Sequence, residues 1–170
     1  MSDSQLHGYV VAGVVPGSGE AVVARAVEFA ARFGTGLVCV IVEPDRVAFT
    51  EGIDGTVLSY PLESDELDGP PVFDAELEAL LRPIAEARGV PLATRALTGE
   101  PAHCLGRFAD RIGAPMIVVG SREAGLRGSL REFFAGSVAL HLTHRQQLPV
   151  VVVPLSPVTR SERLPWEHEL

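Results

Sequence analysis

The residues with the most chemical potential fall in one stretch, Gly120-Ser-Arg-Glu-Ala-Gly-Leu-Arg-Gly128, closed further on by Gly136-Ser137-Val138. Glycines let backbone amides approach a ligand, hydroxyls donate hydrogen bonds and arginines carry positive charge, so the composition suits an anion such as phosphate. A helix opening at Gly136-Ser137 would add its free N-terminal amides. The same residues have plainer uses. Ser121 and Ser137 are ordinary turn or helix-cap types, and Arg122, Arg127 and Arg131, the one concentrated basic patch, fit a solvated surface as well as a small anion.

Other reactive side chains offer less. His141 and His144 are three apart on a predicted helix and would make half of a metal site, but no third ligand has suitable spacing, so surface histidines are expected. His103 follows the Gly99-Glu-Pro101 turn with no identifiable partner and is read as a helix-face residue. Cys39 and Cys104 lie far apart, outside any C-x-x-C, and read as buried thiols in a reducing compartment. No nucleophile elbow, Walker lysine or histidine–acid pair is present. The chemistry on offer is binding.

The chain has 170 residues and a net charge of −8, which suits a single domain and argues against duplex nucleic acid, whose phosphates need a basic face. The N-terminus has no basic leader region, and no apolar run reaches the roughly 18 residues of a membrane span. A soluble cytoplasmic protein without a membrane partner is expected.

Four kinds of pattern must position the glycine-rich stretch. Apolar runs rich in β-branched residues at Tyr9–Val15, Leu37–Val42, Met116–Val119 and Val150–Val153 read as parallel strands covered on both faces, and Leu92–Leu97 as a less apolar strand near an edge. Between them lie helical periods. One runs from Glu20 to Phe33 with Val22, Ala26, Phe29, Ala30 and Phe33 inward. A second starts at the cap Asp74 with Leu77, Leu80, Leu81, Ile84 and Ala85 inward, and Pro83 is expected to kink or divide it. Leu105, Phe108, Ala109 and Ile112 mark a third helix, and Val138, Leu140 and Leu142 a last one. From Glu43 to Pro71 periodicity is lost, which reads as a long irregular acidic connection. Alternation of strand and helix gives the α/β class, an open doubly wound parallel sheet.

In this order, Gly99-Glu-Pro101, Ala114-Pro-Met-Ile-Val-Val-Gly120, Gly136-Ser137-Val138 and Leu148-Pro-Val-Val-Val-Val153 resemble the universal stress protein family, and the resemblance covers Tyr9 to Pro154. It implies a five-stranded sheet of order 3-2-1-4-5, a domain over residues 8–154 and a C-terminal tail over 155–170. It implies a homodimer, through Val150, Val151, Val152 and Val153, and an adenine nucleotide, ATP with magnesium, at the carboxyl ends of the first and fourth strands. The candidate site residues are Val14, Val15, Val42, Gly120, Ser121, Arg122, Gly125, Arg127, Gly136, Ser137 and Val138; of the loop, Gly120, Gly136 and Ser137 match the family pattern, which implies backbone amides after the fourth strand meeting the phosphates.

Two departures bear on that expectation. The family loop has the form Gly-x2-Gly-x9-Gly-Ser or Thr; here the second glycine is replaced by Glu123, and twelve residues separate it from Gly136. Gly125 and Gly128 supply flexibility at a shifted register. Where the family has an aspartate at the end of the first strand, this chain has Val14-Val15-Pro16-Gly17-Ser18. Losing one charge-assisted hydrogen bond would weaken binding by roughly ten- to a hundredfold. Three readings follow: a dimeric regulatory or binding module with nucleotide, the same fold acting through its surface with nucleotide binding lost, and a slow ATPase resting on Glu123 alone.

Overall fold

The computed structural model describes residues 2–43, 46–51, 57–61, 71–121, 138–145 and 147–155. Five parallel strands form the main sheet: β1 (Val10–Gly13), β2 (Leu37–Glu43), β5 (Leu92–Thr98), β6 (Ile117–Gly120) and β7 (Val150–Val153). Their order is β5-β2-β1-β6-β7, the 3-2-1-4-5 arrangement counted over these five strands. β1 is hydrogen-bonded on both edges, Ala12 lying opposite Cys39 of β2 and Val118 of β6. Its valines are fully buried because both faces are covered.

The covers are helices α1 (Gly19–Phe33) and α2 (Ala75–Glu86) on one face, and α3 (Pro101–Arg111) and α4 (Val138–Arg145) on the other. Side chains along β1 alternate between them: Val10 and Ala12 join the core beneath α1 and α2, and Val11 joins the core with Leu105 and Phe108 of α3. α1 buries Val22, Val23, Ala26, Val27 and Ala30 and ends at Gly34, whose φ of 65° is the left-handed cap that a Cβ would disfavour. Asp74 caps α2 by accepting from the amides of Glu76 (2.8 Å) and Leu77 (2.9 Å). Glu100 does the same for α3, accepting from Ala102 (3.1 Å) and His103 (2.8 Å), with Pro101 in the first turn where its missing N–H costs nothing.

Three expectations need correction. Phe33 and Leu80 are exposed, at 53% and 56%, because the inward stripe of each helix is narrower than the apolar set: Phe33 is the last residue of α1, and α2 buries only Leu77, Leu81 and Ala85. Pro83 does not divide α2, which continues to Glu86; so near the C-terminus the proline removes a single ladder bond. The connection after β2 is not wholly irregular. It contains an antiparallel hairpin, β3 (Arg46–Glu51) and β4 (Val57–Pro61), with a register shift between Ala48 and Thr50. Val47, Phe49, Thr50, Val57, Leu58 and Tyr60 are strand-forming types that the surrounding glycines and acids obscured. The acidic cluster 63–68 and the tail beyond Leu155 lie outside the described residues. Among the described residues no helix is long and apolar enough to cross a membrane.

Cys39 is buried in β2, and burial, with a smaller contribution from the Glu78 carboxylate, pushes its thiol up to about 12. Below the ordinary thiol value of 9.0 both folded and unfolded chains keep the proton, whereas between 9.0 and about 12 only the unfolded chain ionises. Stability therefore falls as pH rises through that window. Cys39→Ala is expected to lower the urea midpoint at neutral pH but to flatten its alkaline decline, measured as the slope of midpoint against pH.

Candidate ligand site at the carboxyl ends of β1 and β6

The chain leaves β1 for α1 on one face of the sheet, and β6 is entered from α3 on the other. Connections on either side of the β1–β6 pair therefore diverge, and a crevice opens beyond the carboxyl ends of the two strands, as open α/β sheets require at a switch point. The crevice is a cavity of about 720 Å³, within the range of small-molecule sites.

Its floor is the end of β1. A Cβ on Gly13 would stand 2.9 Å from Leu105 Cδ1 and 3.1 Å from Val119 Cγ1, so the absence of a side chain there keeps the floor open. Val42, Leu105 and Val138 line the side towards α3 and α4; Val22 and Leu155 line the side towards α1. Gly17 and Ser18 contribute the N-terminal approach to α1, where the Ser18 side chain makes no capping bond and the helix dipole favours negative charge. Among the described lining residues, none has an ionisable side chain. The described wall is apolar with hydroxyls and backbone at its rim, which suits an uncharged ring system better than a bare anion.

A model of the universal stress protein family matches residues 10–154. The chain belongs to that family. It is 32% identical over 123 residues to the stress response protein NhaX of Bacillus subtilis (strain 168), a match covering 66% of this chain and 70% of the relative. The fold is shared with a universal stress protein solved in complex with cAMP, at 24% identity and a TM-score of 0.57, covering 89% of this chain and 99% of the other. It is shared equally with the universal stress protein from Archaeoglobus fulgidus in complex with dAMP, at 23% identity and a TM-score of 0.54, covering 87% and 98%.

The structure gathers Val14, Val15, Val42, Gly120, Ser121 and Val138 around this cavity. Arg122, Gly125, Arg127, Gly136 and Ser137, with Glu123, lie outside the described residues. Val14 and Val15 stand where the universal stress pattern has its aspartate, and Val15 is 58% exposed. One expectation is corrected. The first amide after β6 is already engaged, because Ser121 N–H donates to Val153 O at 2.7 Å and completes the Gly120–Val153 pairing of β6 with β7. Ser121 Oγ in turn accepts from Leu155 N–H at 2.9 Å.

Sequence reading missed Leu105, assigned only to the core face of α3, and Leu155, assigned to the tail. An amphipathic pattern marks Leu105 as inward but cannot say that it looks onto a crevice, and nothing local marks Leu155. His141 is not among the lining residues; its Nδ1 is 3.8 Å from Glu100 Oε1, beside the start of α3. Among the described residues no group of three or more metal-ligating side chains gathers. Cys104 is half-buried, its Sγ donating to Thr98 O at 3.3 Å; burial first, then the Glu100 charge, pushes its thiol up, against the lowering effect of Arg107.

A Cβ on Gly120 would lie 2.7 Å from Leu155 Cδ1 and 3.2 Å from Val22 Cγ2. Gly120→Ala is therefore expected to cost about 1–3 kcal/mol of unfolding free energy, read by urea titration, because the methyl fits only if Leu155 moves. A cost near zero would mean that Leu155 is not held against β6.

Proposed function

We propose that this universal stress protein is a regulatory or binding protein whose ligand is an adenine nucleotide seated beyond β1 and β6. One observation carries the reading: an apolar-walled cavity of about 720 Å³ lies at the switch point, with the glycine- and arginine-rich segment starting from its rim at Gly120. The walls formed by Val42, Leu105 and Val138 suit the nucleoside. The phosphates are assigned to the segment after Ser121, through Arg122 and Arg127, the backbone near Gly125, and Gly136-Ser137. The cAMP and dAMP complexes of relatives sharing the fold support an adenine base. ATP with magnesium is the fuller form of the same ligand class.

Without a carboxylate at Val14-Val15, affinity has to come from the apolar walls and the cationic segment, so moderate binding is expected. Thermal shift and calorimetry with AMP, cAMP and ATP, each with and without magnesium, test this. A ligand at one hundred times its dissociation constant should add about 2.7 kcal/mol of stability. No response to any of them at millimolar concentration would leave the alternative, the same fold acting through its surface.

The oligomer proposed is a homodimer pairing through β7. Among the described residues that strand is the sheet edge, bonded in the sheet only to β6, and Val152 is 44% exposed on it. An apolar edge invites pairing unless covered. Val152→Glu is expected to convert a dimer to a monomer in sedimentation, and an unchanged mass would remove β7 from the interface.

A further inference from the structure

The chain does not simply end its sheet at β7. Pro154 closes the strand, and Leu155 turns back across the end of β6. Ser121 fastens this turn twice, its N–H donating to Val153 O (2.7 Å) and its Oγ accepting from Leu155 N–H (2.9 Å). The isobutyl group then lies over Gly120, packs on the core beneath α1 to which Val22 belongs, and forms part of the cavity wall. Gly120 lacks a side chain where Leu155 needs the room. Its role here is thus side-chain packing as much as access for a ligand.

We propose that Leu155 is a specificity-determining wall residue of the ligand site, positioned by Ser121, so that the segment following β7 helps set affinity for the ligand's nucleoside part. This rests on the nucleotide reading above. An isobutyl group offers nothing to a phosphate, whose desolvation it cannot compensate, whereas a ribose or base edge gains contact by covering it. The Ser121 hydroxyl, already accepting from Leu155 N–H, keeps its own hydrogen to donate, and the clasp fixes where that oxygen stands. Leu155 and Ser121 therefore act together on the side of the cavity towards α1, opposite Val42 and Val138.

Calorimetry of adenosine, AMP and ATP against the full chain, Leu155→Ala and Leu155→Met tests the assignment. Leu155→Ala should weaken all three ligands by a similar factor of about tenfold, since the wall touches the part they share. Leu155→Met, close in volume, should return affinity to within about threefold of the original. Unchanged affinity in Leu155→Ala would overturn the wall. So would a loss that grows with the number of phosphates, because Leu155 would then act through the segment after Ser121. If the unaltered protein binds none of the three, the nucleotide reading fails, and the wall is judged by anilinonaphthalene sulfonate fluorescence. Greater dye uptake by Leu155→Ala than by the unaltered chain and Leu155→Met supports a wall over an apolar cavity; equal uptake by all three overturns it.

Discussion

Pairing of β1 on both edges is the constraint from which the rest follows. A parallel strand between two others is joined to them by crossover connections, and these place helices over both of its faces. Val10 and Ala12 meet one helical layer and Val11 the other. Because β2 lies on one side of β1 and β6 on the other, the connections part company at the carboxyl ends, and a crevice is left that the backbone cannot fill. The site is a consequence of strand order before any side chain is chosen.

Side chains then decide what the crevice accepts. Gly13 leaves the floor open, and Val42, Leu105, Val138 and Leu155 make the sides apolar. Val14 and Val15 add no charge to that lining. Ser121 illustrates how such a site is shared with the fold. Its amide completes the sheet and its hydroxyl anchors the turn after β7, so a residue that reads as a phosphate donor also holds the frame.

Much of this was legible residue by residue. The β-branched runs and the cap Asp74 fix strands and helices through local forces, side-chain stiffness and capping bonds, whereas the capping role of Glu100 is visible only in the structure. Burial was less legible. Phe33 and Leu80 have the right spacing to point inward, yet a helix touches the sheet along a stripe whose width depends on its neighbours, and both side chains fall beyond it. The β3–β4 hairpin was hidden for a related reason, since a short bulged pair lacks the clean alternation that marks a strand.

The sequence alone determined the alternation of strands and helices, the chain's place among the universal stress proteins and the position of the glycine-rich segment after β6, because these depend on properties carried by contiguous residues. Tertiary structure alone decided that Leu105 looks onto the crevice, that the Ser121 amide belongs to the sheet, and that Leu155 lies against Gly120. Those three facts join residues far apart in the chain. Contacts of that kind are fixed by strand order and by which groups are left without partners once the sheet has formed, and neither quantity is written in any local stretch of sequence.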